Sequence, residues 1–391
     1  MTQNCLTLPR SHDKFGFYWV MVNSTENVFG TSSALSVKER NRPLQYNVVY
    51  LIGAGFSAPM GIPIVSNFLE KSKDQFFNDP QRFAHFRKVF ETIASMAVTK
   101  GYYKTDLTNI EEILSILEMR EQFTQATSDS QFRKYIADVI EYHTPAIGDR
   151  PWGRHWTSLL FGPPPWANYG AFVAALFGQT FEFVPDPTGG NVFSYRANSL
   201  MERAFKYSVV TLNYDLIFEH CAEYMNTGFK TSLKFKREWD ESTDLDSIYL
   251  AKLHGGVGRG EEIIPPTWNK SLNHQGIIPA WQIAYNVLSE AHHIRIVGYS
   301  LPMNDSYIRY LLRAAVIDST HHHLKNIDVL CLDPDGSVKA RYDEFMQFHK
   351  YRFCSARTED YLKAYVDCLH GWPRQITGDE LELAHDRFCK V

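Results

Sequence analysis

The sequence lacks the closely spaced cysteines that bind structural zinc or form a disulfide framework. Its six cysteines lie far apart, and none belongs to a C-x-x-C pair. This spacing argues against both a zinc ribbon and a disulfide-rich secreted domain. Reduced thiols in the cytoplasm are the expected state. The histidine clusters His292–His293 and His321–His323 lack partnered carboxylates, so we expect solvated turns there and no metal site.

The sequence also lacks an excess of positive charge and a long apolar run. The formal net charge of -4 predicts no direct nucleic-acid binding, because binding to phosphates needs clustered Lys and Arg. One basic cluster, Lys230–Arg237, is interpreted as a solvated loop or the face of an edge strand. The apolar run Phe15–Val22 is too short to cross a bilayer and no cleavage site follows it, so no membrane association is predicted.

What is present is the composition of a globular protein, 44% hydrophobic and 14% aromatic over 391 residues. Four segments show a strand that runs into a polar turn, and two of them continue into an apolar-faced helix. These segments are "VVYLIGAG" (48–55), "YSVVTLNYDLIFEHCAEYM" (207–225), "IRIVGYSLPMNDSYIRYLLRAAVI" (294–317) and "NIDVLCLDPDG" (326–336). The recurrence predicts an α/β fold, a Rossmann-like doubly wound parallel sheet, with ligands beyond the carboxyl ends of its strands.

The remaining segments suggest the domain organisation. We expect residues 1–46 to be an N-terminal extension and 47–335 to form the α/β domain that contains these four segments. A helical insertion is expected at about 65–205, because Ile110, Ile113, Leu114 and Leu117 recur at helical spacing. Within it, 148–170 has too much Pro and Gly for regular structure. Residues 336–391 are expected to be helices packed on the core, including "VKARYDEFMQFHKYRF".

The first polar turn contains a glycine pattern. Gly53, Gly55 and Ala58 match G-x-G-x-x-A after a strand, which suits a dinucleotide phosphate resting on backbone N–H groups. A dehydrogenase also needs an acidic residue about 20 positions later at a strand tip. Glu70 and Asp74 lie in a helix-like stretch and do not fill that role. A tight turn without a ligand is therefore the alternative at this point.

Further motifs favour the ligand-binding interpretation. The glycine loop continues as "GAGFSAPMGIP", and four other stretches follow it in order along the chain. They are "TLNYD" (Thr211–Asp215), "KLHG" (Lys252–Gly255), "PPTWNK" (Pro265–Lys270) and "GYSLPMND" (Gly298–Asp305). With these motifs the sequence resembles the sirtuin-like family of NAD-consuming proteins, and more closely the bacterial branch found in antiviral defence systems.

The resemblance implies NAD as substrate, no metal, and a specific set of site residues. The implied catalytic residues are Asn213, His254 and Asp215. The implied cofactor-binding residues are Gly53, Ala54, Gly55, Ser57, Gly61, Pro63, Gly298, Ser300 and Asp333.

Each implied catalytic residue also has a structural interpretation. The amide of Asn213 suits a ribose hydroxyl or the attacking water, but Asn213 could equally cap the following helix. Asp215 could bind ribose or offset a cationic centre, or it could be a first-turn acid favoured by the helix dipole. His254 could accept a proton from water or a ribose hydroxyl, whereas most histidines in such loops are structural.

The other polar residues are similarly open. Ser57 could contact phosphate or cap a helix. Asp305 suits the N-cap of the helix "SYIRYLLRAA". Asp333 could bind the adenine end, as the resemblance implies, or form a strand-terminating Asx turn.

The sequence departs from the protein-deacylating sirtuins. Pro63 is followed by "IVSNF" instead of Phe-Arg, and no cysteine lies between His254 and Gly298. The four-cysteine zinc module of that branch is therefore missing. The predicted function is an NAD glycohydrolase that releases nicotinamide and ADP-ribose, as an effector of antiviral defence. The alternatives are NAD-dependent deacylation, ADP-ribosyl transfer, or a non-catalytic module that senses NAD or ADP-ribose.

No sensor domain is recognised in the sequence, and unrestrained NAD loss would be lethal. Control is therefore expected through homo-oligomers or a separate partner. By resemblance, such partners include a hexameric DNA-translocating ATPase or an Argonaute-like protein.

Overall fold

A computed structural model of the chain describes residues 45–124, 129–145, 164–185, 193–199, 203–240, 246–258, 263–264, 275–303, 305–317, 319, 325–347, 350–368 and 378–390. Most of the predicted N-terminal extension, the "PPTWNK" loop and His321–His323 lie outside the described residues.

Seven strands form one parallel sheet in the order β5-β6-β4-β1-β7-β8-β9. Their bounds are β1 Tyr46–Ile52, β4 Phe205–Thr211, β5 Lys234–Lys236, β6 Ser247–Lys252, β7 His293–Val297, β8 Asn326–Leu330 and β9 Tyr351–Cys354. A separate antiparallel hairpin joins β2 Gln179–Pro185 to β3 Phe193–Ser199. The doubly wound parallel sheet predicted from the sequence is confirmed.

Helices cover both faces of the sheet. Their bounds are α1 Ala54–Ser57, α2 Phe68–Asn78, α3 Phe86–Ser95, α4 Ile110–Phe123, α5 Asp129–His143, α6 Trp166–Leu176, α7 Ile217–Phe229, α8 Ile278–Glu290, α9 Ser306–Ile317, α10 Ser337–Phe345, α11 Thr358–Cys368 and α12 Gly378–Cys389. One apolar cluster joins the sheet to α6, α7, α11 and α12. A second joins it to α8, α9 and α10.

Strand β1 shows why these residues form a central strand. Val48–Ile52 are all at most 1% exposed. Because side chains alternate along a strand, Tyr50 packs into the first cluster, while Val49 and Leu51 pack into the second. The continuous apolar run thus serves both layers.

The segment between β1 and β4 contains α2 to α6 and the β2–β3 hairpin. The predicted helix at "NIEEILSILEMREQF" is present as α4, and Asn109 caps it by accepting the N–H groups of Glu111 and Glu112 at 2.9 and 3.2 Å. The expectation of irregular structure through residue 170 is wrong from Trp166 onward, where α6 begins. All eleven residues of α6 are buried, so its apolar composition outweighs the preceding prolines.

The C-terminal region also departs from the sequence prediction. The stretch predicted to be helical through Phe353 contains β9, which pairs in parallel with β8 and extends the sheet by one strand. Four residues are too few for a periodicity to distinguish a strand from a helix. His292 and His293 do not form a solvated turn: His292 Nδ1 accepts the N–H of Asn47 at 3.0 Å, and His293 begins β7.

The strand order reverses at β1, because the chain moves from β1 to β4 on one side and later to β7 on the other. Such a switch point opens a crevice at the carboxyl ends of the strands. The parallel register places the last residues of five strands in one row. In spatial order these are Lys252, Thr211, Ile52, Val297 and Leu330. At about 4.8 Å per strand the row spans roughly 19 Å.

Candidate active site

The glycine loop after β1 packs directly on the turn after β7. Gly53 N donates to Val297 O at 3.0 Å, and Gly55 N donates to Gly298 O at 2.9 Å. Gly298 has a φ of 67°, and a Cβ there would lie 2.2 Å from Phe56 N. The glycines therefore allow two strand-end turns to meet at the switch point. The N–H of Gly55 donates within this contact, so it stabilises the fold and is not free to bind a phosphate.

Three side chains hold the carbonyl groups of the glycine loop. Asn213 Nδ2 donates to Gly53 O at 3.0 Å, and Thr358 Oγ1 of α11 donates to Gly55 O at 3.1 Å. The hydroxyl of Tyr169 on α6 donates to Phe56 O. The loop is thus fixed from three separate elements before any ligand arrives.

Asn213 lies just after β4 with its amide in one orientation. Nδ2 donates both to Gly53 O and to Ser57 Oγ, at 3.0 and 2.9 Å. Because a backbone carbonyl can only accept, the nitrogen must face Gly53, and Oδ1 points the other way. Asn213 does not cap α7, which begins at Ile217 with Leu216 as its N-cap residue. The sequence-based capping interpretation is therefore wrong.

Asp215 is buried below this amide. Its Oδ1 accepts the N–H of Ile217 at 3.2 Å, as a residue at the start of a helix commonly does. Burial raises the pKa of Asp215, although the hydrogen bond from Ser57 and the charge of Lys252 both oppose the rise. Ser57 therefore connects Asn213 to Asp215, and its hydroxyl makes no helix-capping bond.

A buried ion pair supports the backbone at Asp215. Lys252 Nζ donates to Asp215 O at 2.7 Å and lies 2.8 Å from Glu219 Oε1. Arg237 lies 2.6 Å from the same oxygen of Glu219. Burial alone would raise the pKa of Glu219, but the two cations outweigh it and hold that pKa below its usual value. Glu219 therefore stays ionised and fixes Lys252.

His254 follows β6 and is 4% exposed. Its carbonyl accepts the N–H of Ile264 at 2.9 Å, and its ring lies 6.2 Å from that of Tyr214. His254 Nε2 is 3.8 Å from Asp305 Oδ2. Strands β4 and β1 separate β6 from β7. The loops that carry His254 and Asp305 must therefore converge beyond the carboxyl ends of β4 and β1.

Four further predicted residues lie in the two loops that follow β1 and β7. Gly61 has a φ of 89° and its carbonyl accepts Lys71 Nζ at 2.5 Å, while Pro63 is buried and Ala54 is exposed. Ser300 O accepts Arg341 Nε at 3.0 Å.

Asp333 lies beyond β8, at the far end of the row from His254. Its Oδ1 and Oδ2 accept the N–H groups of Val338 and Lys339 at 3.0 and 2.9 Å. The carboxylate thus caps the first turn of α10 from a position three residues before its N-cap residue, Gly336. Binding of an adenine end at this residue remains a prediction.

The structure brings Gly53, Ser57, Asn213 and Asp215 into direct contact and His254 into contact with Asp305. Four residues have supporting roles that were not predicted from the sequence: Lys252, Glu219, Asp305 and Thr358. Lys252 and Asp305 belong to motifs already noted, "KLHG" and "GYSLPMND", so their positions were signalled. Thr358 is 303 residues from Gly55, and no local pattern indicates that contact.

No group of three His, Cys, Asp or Glu side chains that could hold a metal ion occurs within the part of the chain that the structure describes. Among the described helices, none is long and apolar enough to cross a membrane.

The strand order and the polar side chains at the switch point define a doubly wound α/β protein with a candidate site at the carboxyl edge of its sheet. No protein-family model matches the sequence. No curated protein is significantly similar to it.

Solved Sir2 structures align with most of the chain at low similarity. One is Sir2Tm bound to a propionylated peptide, at 13% identity over 85% of this chain and 98% of that chain, with a TM-score of 0.30. Another is a complex of Sir2 with a p53 peptide and NAD+, at 13% identity, 85% and 98% coverage and a TM-score of 0.28. A third, from work on the mechanism and regulation of Sir2 enzymes, has 11% identity, 88% and 94% coverage and a TM-score of 0.31. At these values, function has to be inferred from this chain's own residues.

Proposed function

We propose that the chain binds NAD along the carboxyl edge of the sheet and hydrolyses its glycosidic bond, releasing nicotinamide and ADP-ribose. The nicotinamide ribose lies at Asn213 and His254, and the phosphates lie toward Gly298 and Ser300. The adenine end points to Asp333. The order of the sirtuin-like motifs in the sequence supports this assignment, as does the placement of the glycine loop, "TLNYD", "KLHG" and "GYSLPMND" after neighbouring strands of the sheet.

The orientation of Asn213 is the observation that carries the proposal. Both donated bonds of Nδ2 go to the protein, which leaves Oδ1 as the group presented to a ligand. An acceptor holds an O–H donor, either the attacking water or a ribose hydroxyl. Either contact places the reacting groups without the side chain having to reorganise.

The chemistry asked of the site is modest. Nicotinamide in NAD is a cationic pyridinium and leaves as a neutral molecule, so no general acid is required, unlike ordinary glycoside hydrolysis. The site must hold the ribose as an oxocarbenium-like centre develops and must accept a proton from water. His254 has the side chain suited to that proton at neutral pH.

Water is proposed as the acceptor because the sequence lacks the zinc cysteines and the Phe-Arg of protein deacylases. The test is incubation of the purified chain with NAD, with and without an acyl-lysine peptide, followed by quantification of nicotinamide. Hydrolysis predicts equal release under both conditions. Release that required the peptide would overturn this proposal in favour of deacylation or ADP-ribosyl transfer.

A cellular role in antiviral defence through NAD depletion, with control by self-assembly or a separate partner, is proposed from the resemblance. Cells that express the parent chain should lose NAD and stop growing on activation. Cells that express Asn213→Ala or His254→Ala, each confirmed to fold, should not. If both variants arrested growth as the parent does, a non-catalytic sensing role would replace catalysis.

A further inference from the structure

His254 and Asp305 form a buried pair contributed by two different loops. His254 Nε2 lies 3.8 Å from Asp305 Oδ2, and the two residues are 4% and 2% exposed. Three strand spacings, roughly 14 Å, separate the strands that carry them. The approach of these side chains is therefore a product of the tertiary fold and not of sequence proximity.

The turn after β7 holds Asp305 in place. Tyr299 OH donates to Asp305 Oδ2 at 3.0 Å, and Asp305 N donates to Pro302 O at 3.3 Å. Leu301 in the same turn has a φ of 51°, a conformation that a leucine rarely adopts. Such strain persists only where the surrounding contacts over-determine the backbone, and it is often found at functional sites.

We propose that Asp305 is the positioning residue for His254: its carboxylate stabilises the imidazolium that forms when His254 accepts a proton and holds that charged ring in place. A carboxylate at this distance stabilises the protonated ring and has little effect on the energy of the neutral ring. The catalytic consequence rests on the proposed function. The pairing itself does not.

Other charged and titratable groups surround the His254–Asp305 pair. Tyr214 packs against the His254 ring, and Tyr299 bonds to Asp305. Burial raises the pKa of Tyr214; the charges of Glu111 and Glu118 on α4 add to the rise, as that of Asp305 does, and the charge of Arg133 on α5 opposes it. A comparison of variants at one position keeps these groups constant.

The test that needs no turnover is an NMR titration of the His254 imidazole in the parent chain and in Asp305→Asn. The His254 signals are assigned by their loss in His254→Gln. The proposal predicts a His254 pKa lower by about one unit in Asp305→Asn. Asp367→Asn makes the same chemical change at an exposed carboxylate of α11 and should leave the pKa unchanged. An unchanged His254 pKa in Asp305→Asn would overturn the proposal.

If Asp305→Asn does not fold, as judged by circular dichroism, Asp305→Ser removes the charge without placing an amide against Tyr299. The predicted fall in the His254 pKa is the same, and its absence overturns the proposal equally.

Kinetics supply the second arm. With NAD as substrate, Asp305→Asn should lower kcat by about ten- to hundredfold with little change in KM, and the acid limb of the pH profile should move down with the His254 pKa. Loss of kcat with an unmoved acid limb would indicate a merely structural role. A parent chain that released no nicotinamide would defeat the proposed function, while the NMR titration would still decide the role of Asp305.

Discussion

The amide of Asn213 donates to the hydroxyl of Ser57 at 2.9 Å, and Ser57 in turn is hydrogen-bonded to the buried carboxylate of Asp215. The three side chains join the end of β4 to the glycine loop that follows β1. Because the same Asn213 nitrogen also bonds to Gly53 O at 3.0 Å, the arrangement fixes which atom of the amide faces a ligand. The orientation of the Asn213 amide therefore depends on the conformation of the glycine loop.

Ser57→Ala should remove both the acceptor for Asn213 and the donor to Asp215. We expect a loss of about 1–3 kcal/mol in the free energy of unfolding, measured in urea, because a buried donor is left unsatisfied. NAD hydrolysis should fall by at least about tenfold. Ser72→Ala is the matched control, since Ser72 is also buried and accepts a hydrogen bond from Tyr135. It should lose similar stability and keep its kcat.

Gly298→Ala should prevent stable folding or cost more than about 3 kcal/mol, because its Cβ would overlap Phe56 N at 2.2 Å. Gly336→Ala isolates the backbone contribution. Gly336 has a φ of 77° with nothing within 4 Å of the added Cβ, so about 1–2 kcal/mol is expected there. Equal costs for the two variants in urea unfolding would contradict the close contact between the two turns.

Asp215→Asn should change how stability depends on pH. Burial raises the pKa of Asp215 above its usual value of 3.8, so the folded chain holds this proton more tightly than the unfolded chain. Its contribution is fully present below pH 3.8 and is lost as the pH rises through the raised pKa. The variant should therefore gain stability relative to the parent as the pH rises above about 4. A constant difference across urea unfolding curves at several pH values would exclude this ionisation.

His385→Gln should reduce acid sensitivity far from the site. His385 Nε2 lies 2.9 Å from Asp328, and burial together with the charge of Arg295 lowers the pKa of His385 to about 4. Here the unfolded chain binds the proton more tightly, so stability is lost as the pH falls from about 6.5 to 4. The slope is at most about 1.4 kcal/mol per pH unit. The variant should show a shallower loss between pH 6.5 and 4.5, and parallel curves would refute the assignment.

Much of the sheet could be predicted because buried parallel strands leave short apolar or β-branched runs, as at Val48–Ile52 and Ser208–Leu212. Strand β9 could not, since four half-buried residues carry no distinguishing period. Helix α6 was missed because the local signal of the prolines before Trp166 hid a fully buried apolar helix.

The site divides in the same way. Asn213 and His254 follow strands and lie in short motifs, so their positions at the carboxyl edge could be predicted. The amide orientation of Asn213 and the pairing of His254 with Asp305 depend on which loops converge. That information lies in the tertiary fold, because contacts such as Thr358 with Gly55 join residues 303 positions apart.

The most direct test of the central claim is chromatographic measurement of nicotinamide and ADP-ribose formed from NAD by the purified chain without peptide. We expect equal amounts of the two products from the parent and a loss of at least about a hundredfold in Asn213→Ala. Asn226→Ala is the matched control, because Asn226, in the last turn of α7, bonds the backbone of Leu233 and the hydroxyl of Thr231. This variant should keep its activity per folded molecule. Undiminished product formation by a folded Asn213→Ala would contradict the account.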